Sequence, residues 1–300
     1  MNRRKAICTA VLSILLGHVL SGMSSDFSLQ EGPYLGLPLP GRTPIPFAEG
    51  LIEFSHSSIS ISPDGTEIYW AERTTGPMGS RIVLSQRLGD GWSEPIPLFA
   101  GVMSTADCPV ISPDGMRMFM NSVDPLVDGE RETERIWVSE RIEDEWSAPV
   151  PVATIVNSFG LHWQSSVDSA GNLYFGAVPP TGGDDDDIYV ARLVNGVFQT
   201  PEKLGISSTL DETTPFVDPR GEYILLSCID ATGGHIAASF RSADGVWTTP
   251  VNIDLGDVAY PVCPYVSPDG GYLFVLSWPN VYWVDAQVIE DARPSAEDNL

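Results

Sequence analysis

The sequence predicts an all-β fold, a five-bladed β-propeller with four short strands in each blade. Three observations predict it: a strand–turn–strand unit occurs five times, an apolar strand follows each unit, and a strand of the type Trp-x-x-Pro follows the first four units. Four strands in every repeat of about 50 residues are typical of propeller blades, because each blade is a small sheet that packs on its neighbours.

The strand–turn–strand unit is recognised by its turn. ISPDGTEIYW at 61–70 shows the pattern, in which a Ser-Pro-Asp-Gly turn joins two apolar strands. Pro presets the backbone of such a turn, Asp caps it, and Gly takes a positive φ that other residues resist. The turn glycines, spaced by 50, 56, 50 and 49 residues, are Gly65, Gly115, Gly171, Gly221 and Gly270.

Two further strand motifs occupy the chain between these units, so that each repeat has strands a and b around the turn and then strands c and d. The c strands are RIVLSQR (81–87), RIWVSER (135–141), DIYVARL (187–193), HIAASFR (235–241) and VYWVDAQ (281–287). The d strands are WSEPIPL (92–98), WSAPVPV (146–152), FQTPEKL (198–204) and WTTPVNI (247–253).

The segment before the first repeat supplies the strand that the last repeat lacks. No d strand follows the last c strand, whereas TPIPFAEG (43–50), which resembles EPIPLFAG (94–101), precedes the first repeat. We therefore expect the N-terminal strand to pair in the last blade, closing the ring and removing exposed sheet edges. An open array or a sixth, degenerate blade is the alternative, but residues 26–42 are few and rich in Pro.

The chain is expected to contain four segments: a signal peptide (1–25), an N-terminal extension (26–42), the propeller (43–290) and a C-terminal tail (291–300). Three basic residues precede an apolar run of about 15 residues, which suits a secretory signal and is short for a membrane span of about 20. Small residues follow, so cleavage near residues 21–25 predicts a periplasmic or secreted protein with no membrane span after signal removal. An uncleaved anchor is the alternative.

The net charge limits the possible binding partners of the chain, and the cysteine content limits the disulfides that it can form. With 40 acidic and 16 basic residues the net charge is −24, which disfavours binding to the phosphate backbone of nucleic acid. Cys108, Cys228 and Cys263 remain after signal removal, and three thiols allow at most one disulfide. A disulfide scaffold is therefore excluded, while the disulfide status of the three and the oligomeric state stay open.

The Ser-Pro-Asp-Gly turns, the c strands and the Trp-x-x-Pro strands resemble the WD-like β-propeller repeats that are rich in Pro-Asp. Such repeats occur in many exported bacterial proteins and in the propeller of the periplasmic protein TolB. The resemblance covers about residues 43–290 and implies the propeller fold, not an activity. The turns at 168–171 and 218–221 depart from the motif.

Candidate site residues come from the expected position of strand a, which lines the channel of a propeller. The d–a and b–c loops share one face of the ring, here named the loop face, where ligand sites usually gather. Aligned on the turn glycines, His56, His162 and Glu212 are equivalent, and Asp107 and Asp211 lie beside that position. These side chains could bind a divalent metal or act as acid and base, or simply hydrogen-bond to backbone and water.

Two tryptophans and an acidic run complete the candidates. Trp163 and Trp278 fall outside the repeat pattern at the loop face, where they could stack on a sugar ring or plug the channel. Asp184, Asp185 and Asp186 lie in the b–c loop of the third repeat and could bind Ca²⁺, with a solvated acidic loop as the alternative. No other cofactor is expected.

These features favour a non-enzymatic binding module that engages a protein segment or glycan at the loop face. No GxSxG or HExxH motif is present in the sequence. The alternative is a carbohydrate-active hydrolase or lyase whose His, Glu and Asp side chains lie at the channel mouth.

Overall fold

A computed structural model describes residues 32–52, 55, 57–74, 79–124, 134–178, 187–206, 210–230 and 233–294, and at 161–163 and 230 it describes the backbone alone. The described chain forms six antiparallel sheets, of which five are arranged as the blades of a propeller and one is a two-stranded hairpin, which confirms the predicted fold class.

The strands follow the predicted a-b-c-d order. Strand β1 (Ile45–Pro46) precedes the first blade. Blade 1 contains β2 (Ser60–Ile61), β3 (Glu67–Arg73), β4 (Ser80–Leu88), β5 (Gly91–Trp92) and β6 (Ile96–Pro97). Blade 2 contains β7 (Asp107–Ile111), β8 (Arg117–Ser122), β9 (Arg135–Ile142), β10 (Glu145–Trp146) and β11 (Val150–Pro151). In both blades the d strand is interrupted, so that two short pieces pair with one c strand.

The remaining blades vary this plan slightly. Blade 3 contains β12 (Gly160–Val167), β13 (Leu173–Val178), β14 (Asp187–Ala191) and β17 (Glu202–Lys203). Between β14 and β17 the chain forms a separate small hairpin of β15 (Leu193–Val194) and β16 (Val197–Phe198). Blade 4 contains β18 (Asp211–Val217), β19 (Tyr223–Asp230), β20 (Gly233–Phe240) and β21 (Val251–Asn252). Blade 5 contains β22 (Val262–Val266), β23 (Tyr272–Ser277) and β24 (Asn280–Asp285).

Blade 5 is completed by the N-terminal strand, as the sequence predicted. Strand β1 pairs antiparallel with β24, placing Ile45 opposite Trp283. Phe47, which follows β1, is fully buried and makes edge contacts with Phe274 and Trp283, each with ring centroids 5.1 Å apart. The N-terminal segment is thus part of the core of the last blade.

The a–b turns show how the two irregular repeats keep the same geometry. In blade 1 the Ser62 hydroxyl donates to Asp64 Oδ1 at 2.6 Å, and that oxygen accepts the Thr66 N–H at 3.0 Å. In blade 3 Asp168 stands where the other turn has Ser, and its own Oδ1 accepts the N–H groups of residues 170 and 172. One carboxylate therefore replaces the Ser–Asp pair, and Gly171 still has a φ of 81°.

Apolar side chains of neighbouring blades form the core, and one buried polar cluster joins blades 1 and 2. Glu67 forms an ion pair with Arg141 and accepts the Tyr69 hydroxyl at 2.5 Å. Trp146 donates from its indole N–H to the Tyr69 oxygen at 3.2 Å, and the Arg141 guanidinium lies 4.6 Å from the Trp146 ring. Gln86 donates to the other Glu67 oxygen.

Helix is scarce in the part of the chain that the structure describes. It comprises a 3₁₀ turn (Tyr34–Gly36), α1 (Thr154–Asn157) in the loop before β12, and α2 (Gln287–Asp291) after β24. None of the described helices is long and apolar enough to cross a membrane.

Candidate functional site

The a strands bear a repeated irregularity near the loop face. The pairing of strands a and b shifts register in blades 2, 4 and 5 next to Cys108, Thr214 and Cys263, and each of these residues has a φ between 46° and 53°. All three lie seven positions before their turn glycine. Positive φ is uncommon for residues other than Gly, so the repeated bulge is a specific feature of the channel wall.

The equivalent positions in all five blades form a buried ring, which we name the bulge ring. Its members are Ser58, Cys108, Gln164, Thr214 and Cys263, all at most 3% exposed. The Cys263 N–H donates to Thr214 Oγ1 at 3.3 Å, which links neighbouring members. The sequence analysis missed this ring, although the X-Pro dipeptides at 108–109, 214–215 and 263–264 are in register and signal it.

The bulge ring contains two of the three buried thiols. Burial raises the pKa of Cys263 to about 12, with the Asp107 carboxylate contributing, and raises the pKa of Cys108 well above its usual value. Cys228 lies opposite Glu212 in the β18–β19 pair, and burial together with this carboxylate raises its pKa to about 12. None of these thiols is in a disulfide. All three are therefore protonated near neutral pH.

The predicted acidic candidates begin the a strands, close to the loop face. Asp107 begins β7 and is nearly buried, with its Oδ1 accepting the Cys108 N–H at 2.7 Å. Asp211 begins β18 and is exposed, whereas the next residue, Glu212, is 1% exposed. Adjacent residues of one strand point to opposite sides, which separates the two carboxylates.

Less of the structure is described for the two histidine candidates and for Trp163. His56 lies outside the described residues, and His162 and Trp163 lie within β12, where only the backbone is described. His162 pairs with Gly176, and a Cβ atom built on Gly176 would lie 3.2 Å from the Glu212 carbonyl oxygen. The backbone thus brings the candidate positions of blades 3 and 4 next to each other.

The predicted calcium ligands are not among the described residues. Asp184, Asp185 and Asp186 all lie outside the described ranges. Within those ranges, no group of three or more His, Cys, Asp and Glu side chains is arranged to hold a metal ion.

Exposed aromatic side chains are present at the loop face. Trp278 lies in the turn between β23 and β24 and is 61% exposed. Tyr260, in the loop that leads to β22, is 50% exposed, and a Cβ atom built on Gly234 would lie 3.2 Å from its ring. Tyr260 therefore lies against the start of β20 in the neighbouring blade while half of its surface remains exposed.

A cavity of about 500 Å³ lies at the opposite end of the a strands, between the five a–b turns. We name it the turn-face cavity. Its rim contains Pro63, Pro113, Pro219 and Pro268, and its wall includes Gln164, Ser165, Phe216 and Tyr265. None of the seven candidates predicted near the loop face lines it.

Comparison with known proteins agrees with the fold. No protein-family model and no curated protein sequence matches the chain. A solved protein of Agrobacterium tumefaciens assigned as a TolB is 18% identical, with 78% of this chain and 71% of that chain covered and a TM-score of 0.50. A Dyadobacter fermentans protein of unknown function is 11% identical, with 85% and 86% covered and a TM-score of 0.50. A gluconolactonase from Xanthomonas campestris is 13% identical, with 77% and 71% covered and a TM-score of 0.47.

The chain is a five-bladed β-propeller. This class follows from the number of blades, from the closure of the ring by β1 and from the first two of these similarities. Its structural neighbours include TolB-like propellers. A propeller accommodates many activities, so function has to be argued from the surface and channel of this chain.

Proposed function

We propose that this chain is an exported propeller that binds a protein segment or a glycan at its loop face. The observation that carries the proposal is the exposure of Trp278 and Tyr260 on two loops of that face. Large aromatic rings at a surface supply much contact area for little loss of side-chain entropy, and they are enriched where proteins bind partners. Aromatic faces also stack on the apolar faces of sugars.

The scaffold under these loops supports a binding role. Tyr260 lies against Gly234 at the start of β20, and Trp278 follows β23, a strand whose residues 273–276 are almost completely buried. Side chains presented by a rigid core lose little further freedom on binding, which favours affinity. The net charge of −24 favours a neutral glycan or a basic segment over an acidic ligand.

Export is part of the proposal and rests on the first 25 residues, with their basic start and apolar run. The test is mass spectrometry of protein recovered from the periplasm or medium of an expressing bacterium. We expect the mature chain to begin between residues 21 and 26. Recovery of the intact Met1 end in the membrane fraction would contradict cleavage.

The binding test compares the mature protein with two variants on a glycan array and a displayed-peptide library. Trp278→Ala and Tyr260→Ala should each weaken binding about tenfold or more, since such anchors contribute roughly 2 kcal/mol or more. Val246→Ala is the matched control, because Val246 is 60% exposed in the turn that follows β20 at the opposite face. Binding that is unaffected by both aromatic variants, or no binding on either array, would overturn the proposal.

A carbohydrate-active enzyme is the second candidate, and the adjacent positions of His162 and Glu212 favour it. Glu212 is a buried carboxylate, and buried carboxylates near the channel are suited to acid–base chemistry. Glu212→Gln would abolish hydrolysis or lyase cleavage of a polysaccharide panel if this candidate is correct, whereas Asp211→Asn should have little effect. If the unmodified protein cleaves no polysaccharide of the panel, the enzyme candidate is wrong and the binding module remains as the proposed function.

A further inference from the structure

The two exposed aromatic side chains of the loop face are carried by loops of blade 5 that are joined to each other. The Ser277 hydroxyl donates a hydrogen bond to the carbonyl oxygen of Ala259. Trp278 and Tyr260 directly follow these two residues, so both exposed side chains start from neighbouring points of the surface. A peptide segment of a few residues is therefore long enough to contact both of them.

The orientation of the Tyr260 ring is fixed by its backbone and by blade 4. Its φ is 51°, in a region that bulky side chains seldom adopt. A Cβ atom built on Gly234 would lie 3.2 Å from two carbon atoms of the ring, so a side chain at position 234 would press on it. The ring is thus held against β20 by contacts of the folded chain, and its exposed part is presented to a partner without further ordering.

Carboxylates flank these aromatic side chains. Asp257 is exposed in the same loop as Tyr260, three residues before it. Asp211 is exposed at the start of β18, opposite Ile229. Ile229 in turn lies opposite Gly234, the glycine under the Tyr260 ring. Two strand spacings separate Asp211 from Gly234 by about 10 Å, which is close to the Debye length in dilute salt, so the charge of Asp211 acts at the ring.

No Lys or Arg offsets these carboxylates in the described loop-face segments of blades 4 and 5. The segments are 204–206, 210–214, 226–230, 233–236, 253–264 and 276–281. They contain five acidic residues, which are Asp211, Glu212, Asp230, Asp254 and Asp257. In blade 1, by contrast, Arg81 pairs with Glu72. The exposed aromatic side chains of blade 5 are therefore surrounded by uncompensated negative charge, which attracts a cationic partner.

We propose that the surface formed by Trp278, Tyr260, Asp257 and Asp211, here named the aromatic–acidic surface, binds a basic peptide segment of a partner protein. This inference rests on the proposed binding function and names its ligand. An arginine side chain of the peptide would stack on the exposed Trp278 ring, because a guanidinium is planar and weakly hydrated and tryptophan is its best aromatic partner. Further basic side chains would face the two carboxylates. A neutral glycan would not use the two negative charges, and it is an outcome of the test.

The probe is a short peptide in which Arg and Gly alternate. Three peptides of the same length replace Arg by Lys, by citrulline, which has the shape of Arg without its charge, or by Glu. Isothermal titration calorimetry measures their affinity for the mature protein. We expect the Arg peptide to bind at least about tenfold more tightly than the citrulline peptide and about threefold more tightly than the Lys peptide. The Glu peptide should not bind, and added salt should weaken binding of the Arg peptide.

Variants locate the binding at the aromatic–acidic surface. Trp278→Ala should weaken binding of the Arg peptide about tenfold, and Trp278→Phe should retain part of the affinity. Asp211→Asn combined with Asp257→Asn should weaken it about fivefold and reduce its dependence on salt. The matched control combines Asp90→Asn with Asp244→Asn, because both residues are exposed in c–d turns at the opposite face and the total charge is the same. Its affinity should stay within about twofold of that of the unmodified protein.

The outcomes separate this inference from the proposed function. Equal affinities for the Arg and citrulline peptides would overturn the inference. Equal losses in the two paired variants would also overturn it, because the overall charge would then attract the peptide. If the Arg peptide does not bind but a glycan or neutral peptide binds in a Trp278-dependent way, the inference is wrong and the proposed loop-face binding stands. If no peptide or glycan binds, both are wrong.

Discussion

Ile45 lies directly opposite Trp283 in blade 5, so nearly the whole propeller separates two residues that are strand partners. Through this pair the ring is closed by backbone hydrogen bonds, and β1 covers the edge that β24 would otherwise expose. Gly41 adds a further contact, because its carbonyl oxygen accepts the Asp285 N–H at 2.9 Å.

The first prediction tests this closure through Phe47, which is fully buried against Phe274 and Trp283. Phe47→Ala should lower the free energy of unfolding by about 3–5 kcal/mol, because it removes a large core side chain. Ile45→Ala, at a 38% exposed position in β1, is the control and should cost less than about 1 kcal/mol. Denaturant unfolding measures both, and equal effects would argue against a core role for this segment.

The second prediction concerns the buried ion pair between blades 1 and 2. Arg141→Ala should destabilise the protein by about 2–4 kcal/mol, because it leaves the Glu67 carboxylate without its cation in a nearly buried setting. Arg81→Ala is the control, since its pair with Glu72 is largely exposed and worth less than about 1 kcal/mol. If urea unfolding shows that both variants lose a similar free energy of unfolding, the Glu67–Arg141 pair contributes no more to stability than the exposed pair.

The third prediction is a pH dependence at the blade 1 turn. The Ser62 hydroxyl hydrogen bond lowers the pKa of Asp64 below its ordinary value of 3.8. A depressed folded-state pKa stabilises the protein above about pH 4, and this stability is lost as pH falls through the folded pKa. Ser62→Ala should raise the Asp64 pKa toward 3.8 in a carbon-detected NMR titration. An unchanged Asp64 pKa in that variant would contradict the assigned cause.

The fourth prediction concerns the thiols. Cys108, Cys228 and Cys263 are buried with raised pKa values, so the reactive thiolate is scarce and inaccessible. Iodoacetamide at pH 8 should leave all three unmodified in the folded protein and alkylate all three in denaturant. Mass spectrometry reads both states. Resistance of two cysteines in denaturant without reductant would instead reveal a disulfide.

The fifth prediction uses the close approach of blades 3 and 4. Gly176→Ala would place a Cβ atom 3.2 Å from the Glu212 carbonyl oxygen and from Thr213 Cα, both backbone atoms that cannot easily move. We expect a loss of about 1–3 kcal/mol. Gly91→Ala, in β5, meets nothing within 4 Å and should change the thermal midpoint little. A midpoint unchanged in Gly176→Ala would mean that the two blades separate readily.

The blade count and the closure could be predicted because each blade repeats the same local signals. The turn glycines and the Trp-x-x-Pro strands report local backbone geometry, which short sequence patterns carry. The two irregular turns could be recognised only as departures from the motif, and the structure shows that Asp168 supplies from one side chain what Ser62 and Asp64 supply together. These features depend on residues that lie close together in the sequence.

The turn-face cavity could not be predicted in the same way. It depends on side chains from several blades meeting at the axis, such as Phe216 and Tyr265, which no single repeat reveals. The alignment of the repeats points to the loop face instead, because His56, His162 and Glu212 are in register there. In the same alignment Gln164 and Ser165 stand where blades 2, 4 and 5 have an X-Pro pair.

Hydroxyl groups of some a strands accept hydrogen bonds from the backbone of the next a strand. Because, among the described residues, only three repeats supply such a hydroxyl, the repeats cannot simply be exchanged for one another. Ser60 accepts the Ile111 N–H, Ser166 accepts the Val217 N–H, and the Tyr265 hydroxyl accepts the Ile61 N–H. All three acceptors stand five positions before their turn glycine, where blades 2 and 4 have Val110 and Phe216. A gene rearrangement that exchanged blades 1 and 2 would keep every turn glycine yet place an aliphatic side chain where a backbone N–H requires an acceptor. Exchange of these two repeats would therefore cost a hydrogen bond although the repeats have similar sequences, so the stability of the ring depends on the order of the blades as well as on their number.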